Sequence, residues 1–333
     1  MPLRRPVVPT ARSYSIPAPV GGINTVSAGL QLPPSDCASA VNLISAENGL
    51  RTRLGWLEWA TDLVGASTPE VRTVMPFSGS QRSSDRLFAA TDGFIFDVSG
   101  GGSSISPSLA FADTTPGAGY GISAAMTTTA GHFLLYCDEM NGAHLYAESG
   151  ATWTALSEGS GPGQIDGVDP RRLVFVAVFK NRLWFVERDS SDAWYLPVGQ
   201  VTGTATRFPL GTMLREGGSI VGLWNWTYDG GAGVDDSLVV VSSGGDVLVY
   251  QGTDPSSAST FALRGVWQIG FPPSGRRIAS TYGGDLLLLS RQGLVPISRL
   301  VVGAAGDVEY ATAKISNLIN RLMYERATSY SDL

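Results

Sequence analysis

The sequence is poor in the residues that build metal and redox centres. It has two histidines and two cysteines in 333 residues, and Cys37 and Cys137 lie far apart. No Cys/His spacing typical of zinc sites occurs. Two buried free thiols are favoured over a disulfide, which indicates synthesis in a reducing cytosol. His132 and His144 can share one hairpin, but no cysteine or carboxylate cluster completes a metal site. We therefore predict no metal ligands and structural roles for both histidines.

Catalytic and cofactor-binding motifs are also missing. No Gly-x-Ser-x-Gly nucleophile elbow occurs, and the glycines near Gly161, Gly163 and Gly167 lack the Lys-Ser/Thr pair of a phosphate loop. The stretch from Glu148 to Trp153 resembles part of a sialidase Asp-box, with Glu where Asp is usual. In that family the motif is a structural turn.

A glycosidase needs two carboxylates that face each other across a cleft. Five acidic residues of this chain instead lie at or near turns, where Asp commonly makes local hydrogen bonds. They are Asp92, Asp138, Glu187, Asp246 and Asp285. We predict that the protein is not an enzyme, with no catalytic or cofactor-binding residues and no cofactor.

Charge is scarce and its balance is negative. Charged residues make up 16% of the chain, the net charge is −6, and the basic residues are dispersed apart from the pairs Arg4-Arg5, Arg171-Arg172 and Arg276-Arg277. Proteins that grip nucleic acid need clustered Lys and Arg, so tight DNA binding is not expected. The low charge suggests that much of the surface meets other subunits. No apolar stretch is long enough to span a bilayer and no signal-peptide core is present, so membrane insertion is not expected.

Five hairpin-like units recur at intervals of roughly 50 residues, which is a typical length for a propeller blade. Each has an apolar run, a tight turn and a second apolar run, and the 41 glycines and 19 prolines fit many turns and few long helices. The units are Leu87–Phe96, Phe133–Tyr146, Leu183–Leu196, Leu238–Tyr250 and Leu286–Ile297. We predict an all-β fold, a β-propeller of about five to six blades, whose exact blade number the sequence leaves open.

The repeats divide the chain into four regions. Residues 1–20 form an extended, Pro-rich N-terminal arm, which is either a disordered tail or an arm that orders against a neighbouring subunit. Residues 21–60 form an N-terminal segment with a short helix and a strand. The propeller spans 61–310, and residues 311–333 form a C-terminal helix and tail.

The two predicted helices rest on different signals. The first follows Pro33-Pro34, with Ser35 or Asp36 as its N-cap, and ends at Asn48-Gly49. The strand after it runs from Leu50 to Trp59. The C-terminal helix rests on an apolar stripe at helical spacing from Ile315 to Met323.

Tryptophan offers the main alternative to a purely structural role. Five tryptophans could stack against sugars, but packing between blades is the commoner use of Trp in a propeller. They are Trp184, Trp194, Trp224, Trp226 and Trp267. The alternative function is therefore a β-propeller glycan-binding, lectin-like module for recognition of a host surface.

Three groups of residues resemble tail proteins of short-tailed bacteriophages. The first is Gly21-Gly22-Ile23-Asn24, Leu32-Pro33-Pro34, Ala38, Asn42, Gly49, Arg51, Arg53 and Gly55. The second is Val249-Tyr250-Gln251-Gly252-Thr253-Asp254-Pro255 with Trp267-Gln268-Ile269-Gly270, and the third is Gly283-Gly284-Asp285 with Gly293-Leu294-Val295-Pro296-Ile297-Ser298. The resemblance covers about a third of the chain, spread over most of its length.

This resemblance implies a tail nozzle, tail tube or hub subunit of the β-propeller type. Such a subunit forms a homo-oligomer, a hexameric ring below the portal and the adaptor, and contacts the head–tail connector and other tail proteins. The genome is retained by the shared channel and leaves through it during ejection, without tight DNA binding. The expected location is the virion tail, after synthesis in the host cytoplasm. The chain is shorter than expected for this family, which leaves distal nozzle domains and a gate in question.

Overall fold

The computed structural model describes residues 15, 17–46, 49–66, 70–229, 234–302 and 310–329. Strands within each main antiparallel sheet are hydrogen-bonded in chain order. Five of these sheets follow one another along the chain and pack face to face, which is the arrangement of a β-propeller. The predicted all-β, propeller-type fold is confirmed. Nearly all of the predicted arm, residues 1–20, lies outside the described residues.

The N-terminal region contains two pairs of short strands. β1 (Gly22–Ile23) pairs in parallel with β2 (Asp36–Cys37). β3 (Leu43–Ala46) pairs antiparallel with β4 (Gly49–Thr52), with Ala46 opposite Gly49. The predicted strand from Leu50 to Trp59 is therefore correct only for its first three residues.

The short helix predicted after Pro33-Pro34 is wrong. Asn42 has a φ of 58°, a left-handed conformation that interrupts a right-handed helix. Asp36 does not cap a helix, because its carboxylate accepts hydrogen bonds from Asn24 Nδ2 at 2.9 Å and from Lys314 Nζ at 3.2 Å. The hydrogen bond from Asn24 lowers the pKa of Asp36, and Lys314 lowers it further. Asp36 thus joins the two ends of the described chain.

Within the described residues the propeller body contains four four-stranded sheets and one three-stranded sheet. Sheet 1 holds β5 (Thr73–Phe77), β6 (Arg86–Ala90), β7 (Phe94–Asp97) and β8 (Pro107–Ala110). Sheet 2 holds β9 (Gly121–Thr128), β10 (Gly131–Asp138), β11 (Gly142–Ala147) and β12 (Thr152–Ala155). Short parallel strands follow: β13 (Ser157–Glu158), β14 (Gln164–Asp166) and, later, β18 (Gly203–Thr204).

The remaining sheets continue the same meander. Sheet 3 holds β15 (Leu173–Phe179), β16 (Arg182–Glu187), β17 (Asp192–Tyr195) and β19 (Thr206–Pro209). Sheet 4 holds β20 (Ile220–Asp229), β21 (Val234–Ser242), β22 (Asp246–Gly252) and β23 (Phe261–Gln268). Sheet 5 holds β24 (Ala279–Tyr282), β25 (Asp285–Ser290) and β26 (Gly293–Pro296).

Each predicted hairpin is a pair of adjacent strands within one sheet. The five pairs are β6–β7, β10–β11, β16–β17, β21–β22 and β25–β26. In every sheet a further strand precedes the pair, and four of these first strands, β9, β15, β20 and β24, line a common cavity. We call the first strands of the five sheets the inner strands. The predicted spacing therefore marks one hairpin per sheet.

Helices are short and lie mostly at the C-terminal end. α1 (Ile297–Val302) follows β26, and α2 (Ser316–Ser329) follows residues 310–315. The predicted C-terminal helix is confirmed, although its first turn, Ala313–Ile315, is a 3₁₀ helix. The other 3₁₀ turns are Gly29–Gln31, Arg82–Ser84, Glu148–Gly150, Pro170–Arg172 and Gly211–Met213.

The hydrophobic core lies between neighbouring sheets. Phe88 of sheet 1 meets Trp153 of sheet 2 with ring centroids 5.2 Å apart, and Phe175 of sheet 3 meets Trp224 of sheet 4 at 5.1 Å. Edge-to-face pairs of this kind add to the stabilisation from buried area. Four clusters join sheets 1–2, 2–3, 3–4 and 4–5. Each sheet is therefore held by apolar contact with the next.

The join between sheet 5 and sheet 1 is of a different kind. In the described part of the chain, no core cluster links these two sheets, and the second face of sheet 1 packs on Leu63 and its neighbours instead. Arg277, in the segment before β24, makes the connection through hydrogen bonds to Arg72 and Thr73.

Candidate functional site

The segment before β24 places two arginines at one end of the inner strands. Arg276 donates from Nη1 to the carbonyl oxygens of Ile220 at 2.7 Å and Val221 at 3.0 Å, where β20 begins. Its Nε also pairs with the Glu139 carboxylate in the β10–β11 turn. Glu139 faces Arg188 of sheet 3, with Nε and Oε2 3.7 Å apart. Arg276 and Glu139 thus link sheets 2, 3, 4 and 5.

Arg277 reaches the opposite side of the same opening. Its Nη2 and Nε donate to the Gly121 carbonyl at 2.8 and 3.2 Å, and Nη1 donates to the Arg72 carbonyl at 3.0 Å. Nη2 also donates to Thr73 Oγ1. The guanidinium carbon lies 5.6 Å from the centre of the Tyr120 ring. Arg277 therefore ties sheet 5 to the first residues of β5 and β9. We call Arg276, Arg277 and Glu139 the arginine junction.

A cavity lies between the first strands of the sheets, and no charged side chain is among the residues that line it. A cavity of about 380 Å³ is lined by residues of β9, β15, β20 and β24 together with Leu286. The lining residues are Ile122, Ser123, Ala124, Phe175, Val176, Ala177, Val178, Leu223, Trp224, Asn225, Ala279, Ser280, Thr281 and Leu286. A second cavity of about 690 Å³ shares Asn225 and Thr281 with the first and includes Asp285 in its lining.

The other arginine pair singled out by its sequence, Arg171-Arg172, lies on the 3₁₀ turn before β15. Arg171 pairs with Asp169 at 3.0 Å, and Arg172 pairs with Glu187 at 3.1 Å. The hydrogen bond from Arg171 lowers the pKa of Asp169. Each of these guanidinium groups already has an acidic partner, which reduces its attraction for phosphate.

The turn acids accept hydrogen bonds, but Asp92 and Asp246 bond to donors 20 to 31 residues away and not to the local partners that the sequence predicts. Asp92 accepts from Arg72 Nε at 2.9 Å and from the Gly117 amide at 3.2 Å. Asp246 accepts from the amides of Arg215 and Glu216 at 2.9 and 2.8 Å. These donors lie in the segments that connect one sheet to the next. The acids therefore fix the connections between blades.

The three other turn acids accept hydrogen bonds from nearer donors. Asp138 accepts from the Met140 amide at 2.9 Å, Glu187 accepts from Trp194 Nε1 at 3.0 Å, and Asp285 accepts from the Ser298 amide at 3.1 Å. Burial raises the pKa of Asp138.

The Asp-box-like stretch is a turn between β11 and β12. Ala151 adopts a φ of 48° there. Glu148 accepts hydrogen bonds from the Ser80 amide at 2.9 Å and hydroxyl at 2.6 Å, and the hydroxyl contact contributes most to lowering the pKa of Glu148 to about 2. This carboxylate thus links sheet 2 to sheet 1.

Both histidines lie in the β10–β11 hairpin, as proposed from the sequence. His132 contacts Thr127 Oγ1 through Nδ1 at 3.1 Å. His144 is buried, packs edge-on against Phe111 at 5.4 Å, and has its pKa lowered by burial to about 4. Among the described residues no group of three potential ligands could hold a metal ion.

Cys37 and Cys137 are both free; Cys137 is buried, whereas Cys37 is only half-buried.

The candidate sugar-stacking tryptophans are built into the core. Trp184 and Trp226 are buried. Trp194, Trp224 and Trp267 are half-buried and pack against the clusters between sheets. The packing role predicted for these side chains is confirmed.

The chief feature missed by sequence reasoning is an apolar surface on residues 41–59, which we call the apolar segment. Trp56 is 71% exposed and Leu57 is 94% exposed. The segment consists of the β3–β4 hairpin and the stretch that joins it to sheet 1, where Trp59 Nε1 donates to the Val98 carbonyl at 2.7 Å. Its exposed large side chains are Val41, Leu43, Ile44, Leu54, Trp56, Leu57 and Trp59. Contiguous exposed apolar surface usually marks an interaction site.

Comparison with known proteins gives fold-level likeness only. No family model matches the chain, and no curated protein matches it. YCF48 bound to D1 peptide is similar over 80% of this chain and 73% of its own, with 11% identity and a TM-score of 0.36. BBS1N in complex with ARL6DN has 12% identity over 66% of this chain and 74% of its own, with a TM-score of 0.32.

The N-terminal domain of Nup159 is similar over 68% of this chain and 73% of its own, with 11% identity and a TM-score of 0.31. Likenesses at such scores do not extend to function.

Among the described residues, no helix is both long and apolar enough to cross a membrane.

Proposed function

We propose that this chain is a structural virion protein, a subunit of the tail nozzle or tube of a short-tailed bacteriophage. The observation that carries the proposal is the apolar segment, in which seven large aromatic and aliphatic side chains are exposed. A surface of this kind suits permanent assembly with other subunits. The resemblance of Gly21–Asn24, Arg51, Arg53 and later residues to phage tail proteins supports the same assignment.

The small cavity and the arginine junction favour a conduit that lies outside the single propeller. The arginine junction spans one end of the inner strands, and the cavity behind it is only about 380 Å³. The genome therefore passes through a channel shared between copies and not through the propeller itself. A ring of copies, hexameric by the resemblance, lies below the portal and adaptor, retains the genome and conducts it during ejection.

The glycan-binding alternative is less well supported. It needs exposed aromatic side chains on one face of the propeller, whereas the tryptophans considered for this role pack within the core. A hydrolase needs a carboxylate pair that faces a cleft, whereas the five turn acids make structural hydrogen bonds.

Mass photometry and negative-stain microscopy of the purified full chain test this function. We expect a closed ring of several copies with a central bore wide enough for duplex DNA. A compact monomer at all concentrations would contradict the proposed function and favour the glycan-binding alternative.

A further inference from the structure

The larger cavity of the propeller lies at the end of the inner strands away from the arginine junction. The junction binds β20 where it begins, whereas this cavity of about 690 Å³ is lined by the second half of β20, the end of β24, the β24–β25 turn and α1. Its lining residues are Asn225, Trp226, Thr227, Thr281, Gly283, Gly284, Asp285 and Ser298. Asn225, Thr227 and Thr281 are exposed, so a ligand can enter from solvent. Small-molecule sites commonly measure about 300–1,000 Å³.

Two exposed side chains on β20 are turned so that their oxygens are left to accept hydrogen bonds. Asn225 Nδ2 donates to the Val178 carbonyl at 2.6 Å, which leaves Oδ1 as the remaining polar atom of that side chain. Thr227 Oγ1 donates its only hydrogen to Asp236 at 2.8 Å. The direction of both bonds is fixed, because a carbonyl oxygen and an ionised carboxylate can only accept. The β20 side of the cavity therefore offers acceptor oxygens.

Asp285 and Ser298 extend this pattern on the opposite side of the cavity. The Asp285 carboxylate accepts from the Ser298 amide at 3.1 Å and from the Leu286 amide at 2.9 Å. The Ser298 hydroxyl donates its only hydrogen to the same carboxylate, so its oxygen too can only accept. All these donors are uncharged, and in the described part of the chain Asp285 has no ion-pair partner. Its negative charge is therefore not neutralised by a base.

The charge of the lining selects the class of ligand. Asp285 is the one charged side chain among the described residues that line the cavity, and Arg299, which follows Ser298 in the chain, is not among them. Lys180 approaches Thr227 only through a shared partner, because its Nζ pairs with Asp236 at 2.7 Å. A lining with one negative charge and several acceptor oxygens repels phosphate and carboxylate ligands. It matches a cation that carries N–H donors in both charge and hydrogen-bond polarity.

We propose that this cavity, which we call the acceptor pocket, binds a small organic cation through a primary ammonium or guanidinium group. Both groups carry donors and no acceptor, so each N–H can meet an oxygen of the lining. The charge-assisted hydrogen bond to Asp285 is the main contact, because such bonds are stronger than neutral ones. Asn225 Oδ1 and Thr227 Oγ1 orient the group. One copy of the chain supplies every lining residue, so the inference does not depend on the proposed function.

Isothermal titration calorimetry of the full chain with agmatine tests the pocket, because agmatine carries both a guanidinium and an ammonium group. We expect saturable binding of one ligand per chain with a Kd on the order of 1 mM or tighter, and added sodium chloride should weaken it. Tetramethylammonium has the charge without N–H donors, and glucose has hydroxyl groups without the charge. Both should bind about tenfold more weakly or less. Absent agmatine binding, or equally tight binding of either comparison ligand, would overturn the inference.

Two substitutions should move the affinity for agmatine in opposite directions. Asp285→Asn removes the charge at constant size and should weaken binding about tenfold or more. Thr281→Asp adds a carboxylate at an exposed position of the pocket and should tighten binding about threefold or more. The controls Asp62→Asn and Thr206→Asp make the same changes at exposed positions outside the pocket and should bind like the wild type. Thermal melting and circular dichroism report whether each variant is folded.

Unchanged affinity in either folded pocket variant would contradict the assignment. If Asp285→Asn unfolds, Thr281→Asp still decides, since tighter binding cannot result from misfolding. A short arginine peptide with blocked ends separates a free cation from a basic side chain of a partner protein: binding of this peptide without binding of agmatine also overturns the inference. Mass photometry of the wild type tests ring assembly independently, so the acceptor pocket and the proposed function can fail separately.

Discussion

Arg277→Ala should destabilise the fold more than any other exposed arginine substitution. The guanidinium makes hydrogen bonds to the Gly121 and Arg72 carbonyls and to the Thr73 hydroxyl. A hydrogen bond from a charged donor contributes about 1.5–3 kcal/mol when buried. Because Arg277 is partly exposed, water replaces some of this, and we expect a loss of about 2–3 kcal/mol in unfolding free energy.

Arg277→Lys should fall between the wild type and Arg277→Ala. Lysine keeps the charge but lacks the planar fork that reaches two sheets at once. Chemical denaturation followed by tryptophan fluorescence measures the loss, and hydrogen exchange at β5 and β24 should rise selectively. Arg321→Ala is the control: Arg321 makes only an exposed ion pair with Glu325 at 3.7 Å, so it should cost less than about 0.5 kcal/mol. Equal effects of the alanine substitutions at positions 277 and 321 would refute the role of the junction.

Three further predictions concern the helix, a buried histidine and DNA. Leu318→Asp should detach α2, because Leu318 is half-buried on its apolar stripe, and limited proteolysis should then cut residues 310–329 faster than in Asn320→Asp. Unfolding free energy should fall between pH 6.5 and pH 4 by up to about 3 kcal/mol, because burial lowers the pKa of His144 to about 4 and the unfolded chain therefore binds the proton first. Removing the buried side chain in His144→Gln should flatten that dependence, whereas His132→Gln should retain it. Duplex DNA should bind no tighter than roughly 10⁻⁴ M at physiological salt, and micromolar binding with a steep salt dependence would contradict a passive conduit.

The hairpins were predictable because their signal is local. Each apolar run and its turn lie within about 15 residues, and burial between sheets selects the same apolar side chains that the pattern shows. The short N-terminal helix was mispredicted from capping signals at Ser35 and Asp36. Asn42 in a left-handed conformation and the pairing of Leu43 with Thr52 decide against it.

The junction and the apolar segment lay beyond sequence reasoning for separate reasons. Arg277 meets Gly121 across 156 residues of chain, and no local pattern reports such a contact. Trp56 and Leu57 fall in the strand predicted from Leu50 to Trp59, and the sequence pattern does not reveal whether such apolar side chains are buried by the same chain. The structure shows that Trp56 and Leu57 are exposed to solvent in the folded chain.

The central claim is that the conduit lies between copies while each propeller is closed by its own arginines. Single-particle reconstruction of the assembled full chain tests it most directly. We predict a ring whose axial bore is wide enough for duplex DNA, with Arg276 and Arg277 of every copy bonded to the sheets of their own propeller. A ring without an axial bore, or one whose open passage runs through the propellers themselves, would contradict the account.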